Sequence, residues 1–215
     1  MTRQAPGSYA KGRQRREQLI DAAASLLERH TPDALSLKDI AARAGIPVGS
    51  AYHFFSNAND VFAALAQRFG DTLFEVLEAP YPDQADSWQT VLGVAIERAA
   101  QLYRGHPAYQ QLILGGKAPP DIKLADRVHD QQIGHLLLRV VPGHEDMPEG
   151  AVDRFFFATE IVDLMFTLSV MRHGTMTEEM VNEAKLACVG YLGEYLHHSK
   201  LANHQQTEAA RRDRR

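Results

Sequence analysis

Apolar residues recur along most of this chain at helical spacing. From Arg13 to His30 they are Leu19, Ile20, Ala23, Leu26 and Leu27, one face of a first helix. Thr31-Pro32-Asp33 ends it, because Pro32 disfavours a helical Thr31. Ser36 opens a second helix: its hydroxyl stands three residues before Asp39, a looser form of the capping box. Ile40, Ala41 and Ala44 form the buried stripe, and Gly45 suits the left-handed position that ends a helix. Pro47 permits a quick restart, so a third short helix is expected from about Val48 to Phe55. After the turn and cap Ser56–Asp60, the residues Phe62, Leu65, Ala66, Phe69, Leu73, Val76 and Leu77 share one face of a fourth helix. It reaches about Glu78 and stops at Ala79-Pro80-Tyr81-Pro82.

The same periodicity continues. Ser87–Arg104 carries Trp88, Val91, Leu92, Ala95, Ile96, Ala99 and Leu102; Pro107–Leu114 is a short helix stopped by Gly115-Gly116; Asp121–Val141 lies between proline-containing turns. Gly150–His173 is apolar nearly all round, the mark of a helix buried on several sides. A last helix, capped by Thr175 or Thr177, carries Met180, Ala184, Ala187, Cys188, Tyr191 and Tyr195. No stretch alternates as a strand does. The expected fold is all-α with about nine helices: an N-terminal three-helix head and a helical ligand-binding and dimerisation body. The segments are a mobile arm over 1–11, a head over 12–58, a body over 59–199 whose first part, 59–78, connects the two, and a polar disordered tail over 200–215.

Composition narrows the function. The single cysteine excludes a disulfide framework and cysteine-based metal centres. No apolar run approaches the ~20 residues of a membrane span, and the polar, basic start lacks a signal-peptide core; a cytoplasmic protein is expected. Taken alone, the net charge of −4 argues against a dedicated nucleic-acid binder. Its distribution reverses that: residues 1–70 sum to +3, 71–200 to −9 and 201–215 to +2. A basic head on an acidic body can point to nucleic acid.

Two short helices joined at Gly45 make a helix-turn-helix candidate. Ile40 and Ala41 face the partner helix, Ile46 plugs the corner, and Ala51 and Phe54 turn inward. Val48, Gly49, Ser50, Tyr52 and His53 are left outward, where small residues allow close approach and polar ones reach base edges or phosphates. Residues 13–77 resemble the DNA-binding head of the TetR family of bacterial repressors. The resemblance rests on the first helix, on Leu35-Ser36-Leu37-Lys38-Asp39-Ile40-Ala41-Ala42-Arg43-Ala44-Gly45, on Ile46-Pro47-Val48-Gly49-Ser50-Ala51-Tyr52-His53-Phe54-Phe55, and on Asn59-Asp60-Val61-Phe62. It implies that Tyr52 and His53 contact phosphate or base and that Ser50 meets a base edge, with Val48 and Gly49 beside it. Ser36 and Lys38 would touch phosphates, and Arg13, Arg15 and Arg16 would reach phosphates or the minor groove. One position departs from the family, Ala58 standing where a phosphate-binding lysine is common. The start of helix four, with Asn57, is then the expected substitute.

In the body, Trp88, Tyr103, His106, Tyr109, Phe156, Met165 and Phe166 are candidates to line a cavity for a small apolar or aromatic effector, with core packing as the competing reading. The histidines lack metal-ligand spacing: His197 and His198 are adjacent, and His129 and His135 point differently. No metal, cofactor or catalytic constellation is expected, and Cys188 lies on an apolar stripe. The last two helices, 150–173 and 175–198, carry the small residues Gly190 and Gly193 and are the expected homodimer interface, which a charge at Gly193 or Leu192 should split. The resulting expectation is a ligand-responsive repressor, not an enzyme, that binds a palindromic DNA operator as a homodimer. A regulator without a small-molecule inducer, and a helical small-molecule binder with a vestigial head, remain open at this point.

Overall fold

The computed structural model of the chain describes the backbone of residues 6–147 and 149–212, and the side chains of residues 10–145, 147 and 149–196. Its helices are α1 (Pro6–Leu27), α2 (Leu37–Ala44), α3 (Val48–Phe54), α4 (Ala58–Glu78), α5 (Trp88–Gly105), α6 (Pro107–Tyr109), α7 (Pro120–Val140), α8 (Ala151–His173) and α9 (Glu178–Arg212). Among the described residues there is no strand. The expected all-α architecture of about nine helices is the observed one.

Three boundaries differ from the periodicity. α1 begins at Pro6, inside the segment expected as an arm, because proline is well placed in a first helical turn where no N–H is needed. Residues 1–5 lie outside the described ones. α1 also stops at Leu27, earlier than His30. The N–H groups of Arg29 and His30 both turn back to the Leu26 carbonyl, and Thr31 is extended ahead of Pro32. α9 continues to Arg212, so most of the segment expected as a disordered tail is helical. That segment is polar but rich in Ala, Gln and Arg, all good helix formers, and contains no glycine or proline. The reading of the final residues, 213–215, falls outside the described residues. Within the short element after α5, Gln110–Leu114 takes a π turn where a plain helix was expected.

The described chain divides into two compact units. One runs through Leu73 and includes Leu102–Asp126; the other combines Phe74–Gln101 with the chain from Arg127 onward. The first has Leu19, Ile20, Ala23 and Leu27 of α1 packed with Ile40 and Ala41 of α2, Ala51 of α3 and Val61, Phe62, Leu65 and Phe69 of α4, all buried. Arg68 reaches from α4 to Asp21 of α1 at 2.6 Å and to Glu17 at 3.6 Å. Such partly exposed pairs orient more than they stabilise. Lys117 meets Asp33 at 2.9 Å, tying the segment before α7 to the turn before α2.

In the second unit, α8 buries Phe155, Ala158, Phe166 and Ser169, and α9 buries Val181, Ala184, Cys188, Leu192 and Leu196. The turn between these helices is held by Ser169, whose hydroxyl donates to the Thr175 carbonyl at 2.9 Å and accepts from the Thr177 N–H at 2.9 Å. Arg98 of α5 closes the end of α4, its guanidinium donating to the carbonyls of Ala79 at 2.8 Å and Pro80 at 2.6 Å while stacking over the Tyr81 ring. Among the described residues no helix is long and apolar enough to cross a membrane, and no group of His, Cys, Asp or Glu side chains could hold a metal ion.

Candidate nucleic-acid interface

Short-range hydrogen bonds build the α2–turn–α3 motif. Ser36 caps α2 in a full capping box: its hydroxyl accepts from the Asp39 N–H, and the Asp39 carboxylate accepts from the Ser36 N–H at 2.9 Å. The Ser36 hydroxyl and then its N–H, both donating to that carboxylate, hold the Asp39 carboxyl below its ordinary value. The acid therefore stays ionised at the positive end of α2.

At the other end Gly45 sits at φ 66°, ψ 26°. Its N–H bonds the Ala42 carbonyl at 3.2 Å, and the Ile46 N–H bonds Ala41 at 3.0 Å, a Schellman closure with buried Ile46 as its apolar plug. A side chain at Gly45 would meet no neighbouring atom, so the constraint is purely conformational. Gly45→Ala should therefore destabilise the head by about 1–2 kcal/mol, measurable as a lower urea midpoint with unchanged slope.

Pro47 caps α3, its carbonyl accepting from the N–H groups of Ser50 and Ala51. Ala51 is fully buried. Phe55 is buried, and Phe54, read as inward, is half-buried. The chain leaves the helix at Phe55, which is extended (φ −141°, ψ 135°), so helical phase no longer sets its direction.

Four of the five positions expected to point outward are exposed. Val48 is 42% exposed and Tyr52 59%, four residues apart and so on one face. Gly49 and His53 are exposed and Ser50 is half-buried. Ser36 and Lys38 are exposed at the start of α2, and Arg13, Arg15 and Arg16 are exposed on α1. Arg16 differs from the other two: its guanidinium lies over the Phe55 ring at 5.1 Å and pairs with Glu17 at 3.5 Å. Asn57 is partly engaged, its side-chain oxygen accepting from the Asp60 N–H at 3.1 Å as the cap of α4, while the Asp60 carboxylate accepts from the Ser56 N–H. Of the Asn57 side chain only the amide nitrogen is left for a phosphate, and the Ala58 side chain beside it adds no donor. Sequence reasoning missed Arg43, whose guanidinium donates to the Ser25 hydroxyl at 2.7 and 3.2 Å and so holds α2 to α1. Eighteen residues separate the two, too far for any local pattern to reveal.

The seven body candidates fall into different units. Tyr103 and Tyr109 are buried against Phe69 in the first unit, with ring centroids 4.8 and 4.2 Å from it. His106 is exposed there, tilted on Tyr109 and with Nδ1 2.8 Å from the Leu102 carbonyl oxygen. Nearby, the buried Gln110 side chain donates to the Tyr103 carbonyl at 2.7 Å. Trp88, Phe156, Met165 and Phe166 belong to the second unit, Trp88 and Phe166 buried, Phe156 and Met165 half-buried. Cys188 is buried, and that burial pushes its thiol up to about 12, leaving it protonated and inert at neutral pH.

Residues 19–65 match the family described as bacterial regulatory proteins, tetR family, and residues 86–196, over half of the chain, match the tetracyclin repressor-like C-terminal domain. Solved structures share the fold. A TetR-family transcriptional regulator from Streptomyces coelicolor is 24% identical with a TM-score of 0.66, covering 85% of this chain and 99% of its own. SmeT, the repressor of the Stenotrophomonas maltophilia multidrug efflux pump SmeDEF, is 22% identical with a TM-score of 0.63, covering 84% and 90%. The fatty acid degradation regulator FadR from Bacillus halodurans is 17% identical with a TM-score of 0.55, covering 89% and 97%. No curated protein matches the chain in sequence. With a helix-turn-helix closed at Gly45 in front and the family's C-terminal domain behind it, the chain belongs to the TetR family of bacterial transcriptional regulators.

Proposed function

We propose that this protein is a ligand-responsive repressor that binds a palindromic operator as a homodimer in the cytoplasm and is released by a small apolar or aromatic effector. The observation that carries the reading is the exposed face of α3, with Val48 and Tyr52 side by side on a helix whose position is set by the Schellman turn at Gly45. In this reading Tyr52, His53 and Ser50 meet bases or phosphates. Ser36, Lys38, Arg13 and Arg15 supply backbone contacts, and Arg16 contributes less because Phe55 and Glu17 already engage it.

One α3 covers too few base pairs for useful specificity, so two heads would be held about 34–36 Å apart. What supports α8 and α9 as the dimer interface is the second apolar face of α8: Phe157, Leu164 and Met171 recur every seven residues and are 43%, 54% and 65% exposed, opposite the buried Phe155–Phe166 side. On α9, exposed Leu186 and Gly190 and half-buried Gly193 form a matching stripe. For the effector, aromatic-rich surroundings favour an apolar or aromatic molecule. SmeT represses a drug-efflux pump and FadR regulates fatty acid degradation, which is consistent with such chemistry.

The test is DNA binding by the full chain to the region upstream of its own gene. Tyr52→Ala should weaken binding at least tenfold while leaving the dimer intact in sedimentation. Affinity should fall steeply with salt, the logarithmic slope approaching about −0.9 per phosphate contacted. Unchanged affinity in the variant would move the reading surface off α3; a flat salt response would remove DNA as the partner.

A further inference from the structure

The composition of α3 restricts what it can read. In the major groove, guanine is chosen by Arg or Lys, adenine by Asn or Gln, and cytosine by Asp or Glu, each through hydrogen bonds to the base edge. The sequence of α3 is Val-Gly-Ser-Ala-Tyr-His-Phe, with none of these six residue types. Of the flanking residues, Arg43 holds Ser25, Arg16 lies over Phe55, and the Asn57 oxygen caps α4. Ser50, Tyr52 and His53 can hydrogen-bond to bases or phosphates, but the pairs that single out guanine, adenine or cytosine are absent from α3, which leaves apolar contact as a further source of sequence information. The apolar group that a base edge offers in the major groove is the C5-methyl of thymine.

Val48 is the side chain placed to meet it. It is 42% exposed although fully apolar, it shares a face with Tyr52, and Gly49 next to it is exposed and carries no side chain to hold the backbone away. The basic sum of residues 1–70 draws this part of the chain as a whole towards phosphates. We propose that Val48 reads the methyl group of one thymine in each operator half-site. This rests on the DNA-binding reading above and names what that surface recognises.

The probe is a duplex selected from a random pool by the full-length protein, with each thymidine replaced in turn by deoxyuridine, which removes the methyl and nothing else. Binding is followed by fluorescence anisotropy. One thymine per half-site should weaken binding about fourfold when its methyl is lost, the worth of one buried methyl group. Replacing both symmetry-related thymines should give roughly fifteenfold by addition of the two. Val48→Ala, at an exposed site where alanine is the better helix former, keeps only one methyl of the side chain and should shrink the difference between the two versions of that position. A selected duplex indifferent to deoxyuridine at every thymine overturns the proposal while leaving DNA binding in place. So does a Val48→Ala protein that distinguishes thymine from uracil at that position as strongly as the parent does. Failure to select any duplex overturns the DNA-binding reading itself and this proposal with it.

Discussion

Leu164→Asp should leave a folded protomer that sediments as a monomer and binds operator DNA at least a hundredfold more weakly. Leu164 lies in the middle of the Phe157–Leu164–Met171 stripe and is exposed in the single chain, so a carboxylate there stays in water and costs the protomer little. In a two-fold dimer built on α8 and α9 the same residue enters the interface from both sides. Two like charges would then be desolvated together, a penalty of several kcal/mol for each. Loss of the dimer removes the second head, and with it the gain in affinity from binding two half-sites at once. The position matters. Leu192, which the periodicity of α9 offers as an interface residue, is 0% exposed within the protomer, so a charge there breaks the core and tests nothing about association. Sedimentation, circular dichroism and anisotropy on the same sample separate these outcomes. Persistent dimers would place the interface elsewhere.

Gly134→Val should lower stability by about 3 kcal/mol, or about 6–12 °C in the thermal midpoint for a chain of this size. At Gly134 the helices α7 and α8 meet backbone to backbone. An added Cβ would lie 2.7 Å from the Phe156 nitrogen and 2.9 Å from its Cα, atoms that cannot rotate aside. The two helices would have to separate, and the packing around buried Phe155 would open with them. Gly93→Ala in α5 is the contrast: nothing lies within 4 Å of its added Cβ, so the substitution should stabilise by about 0.5–1 kcal/mol through helix propensity alone. Thermal denaturation of the two variants beside the parent chain checks both signs. A Gly134→Val protein as stable as the parent would mean that α7 and α8 can part without loss.

Much of the DNA-facing motif was legible because its forces are local. The capping box spans Ser36 to Asp39 and the Schellman closure spans Ala41 to Ile46, so each signal lies within a few residues of the atoms it controls. The outward face of α3 follows from helical phase once the helix starts after Pro47. Phase failed one residue later, at Phe55, where the helix ends and burial is decided by what the extended chain meets.

The body was legible only as helices. A helix that is apolar nearly all round announces burial without saying against what; the fold assigns Phe155 and Phe166 of α8 to the protomer interior and leaves Phe157, Leu164 and Met171 outside. The aromatic candidates were chosen for their chemistry, and chemistry does not tell that Tyr103 and Tyr109 close on Phe69 while Trp88 and Phe166 belong to the other unit.

By itself, the sequence determined the helical class, the order of the helices and the turn that orients α3, because periodicity, caps and a left-handed glycine act between neighbours in the chain. Tertiary structure alone decided that Arg43 braces α1 through Ser25, that Gly134 must remain bare, and which face of α8 is left uncovered. Each of these depends on atoms brought together from distant parts of the chain, and no local pattern records which distant helix will arrive.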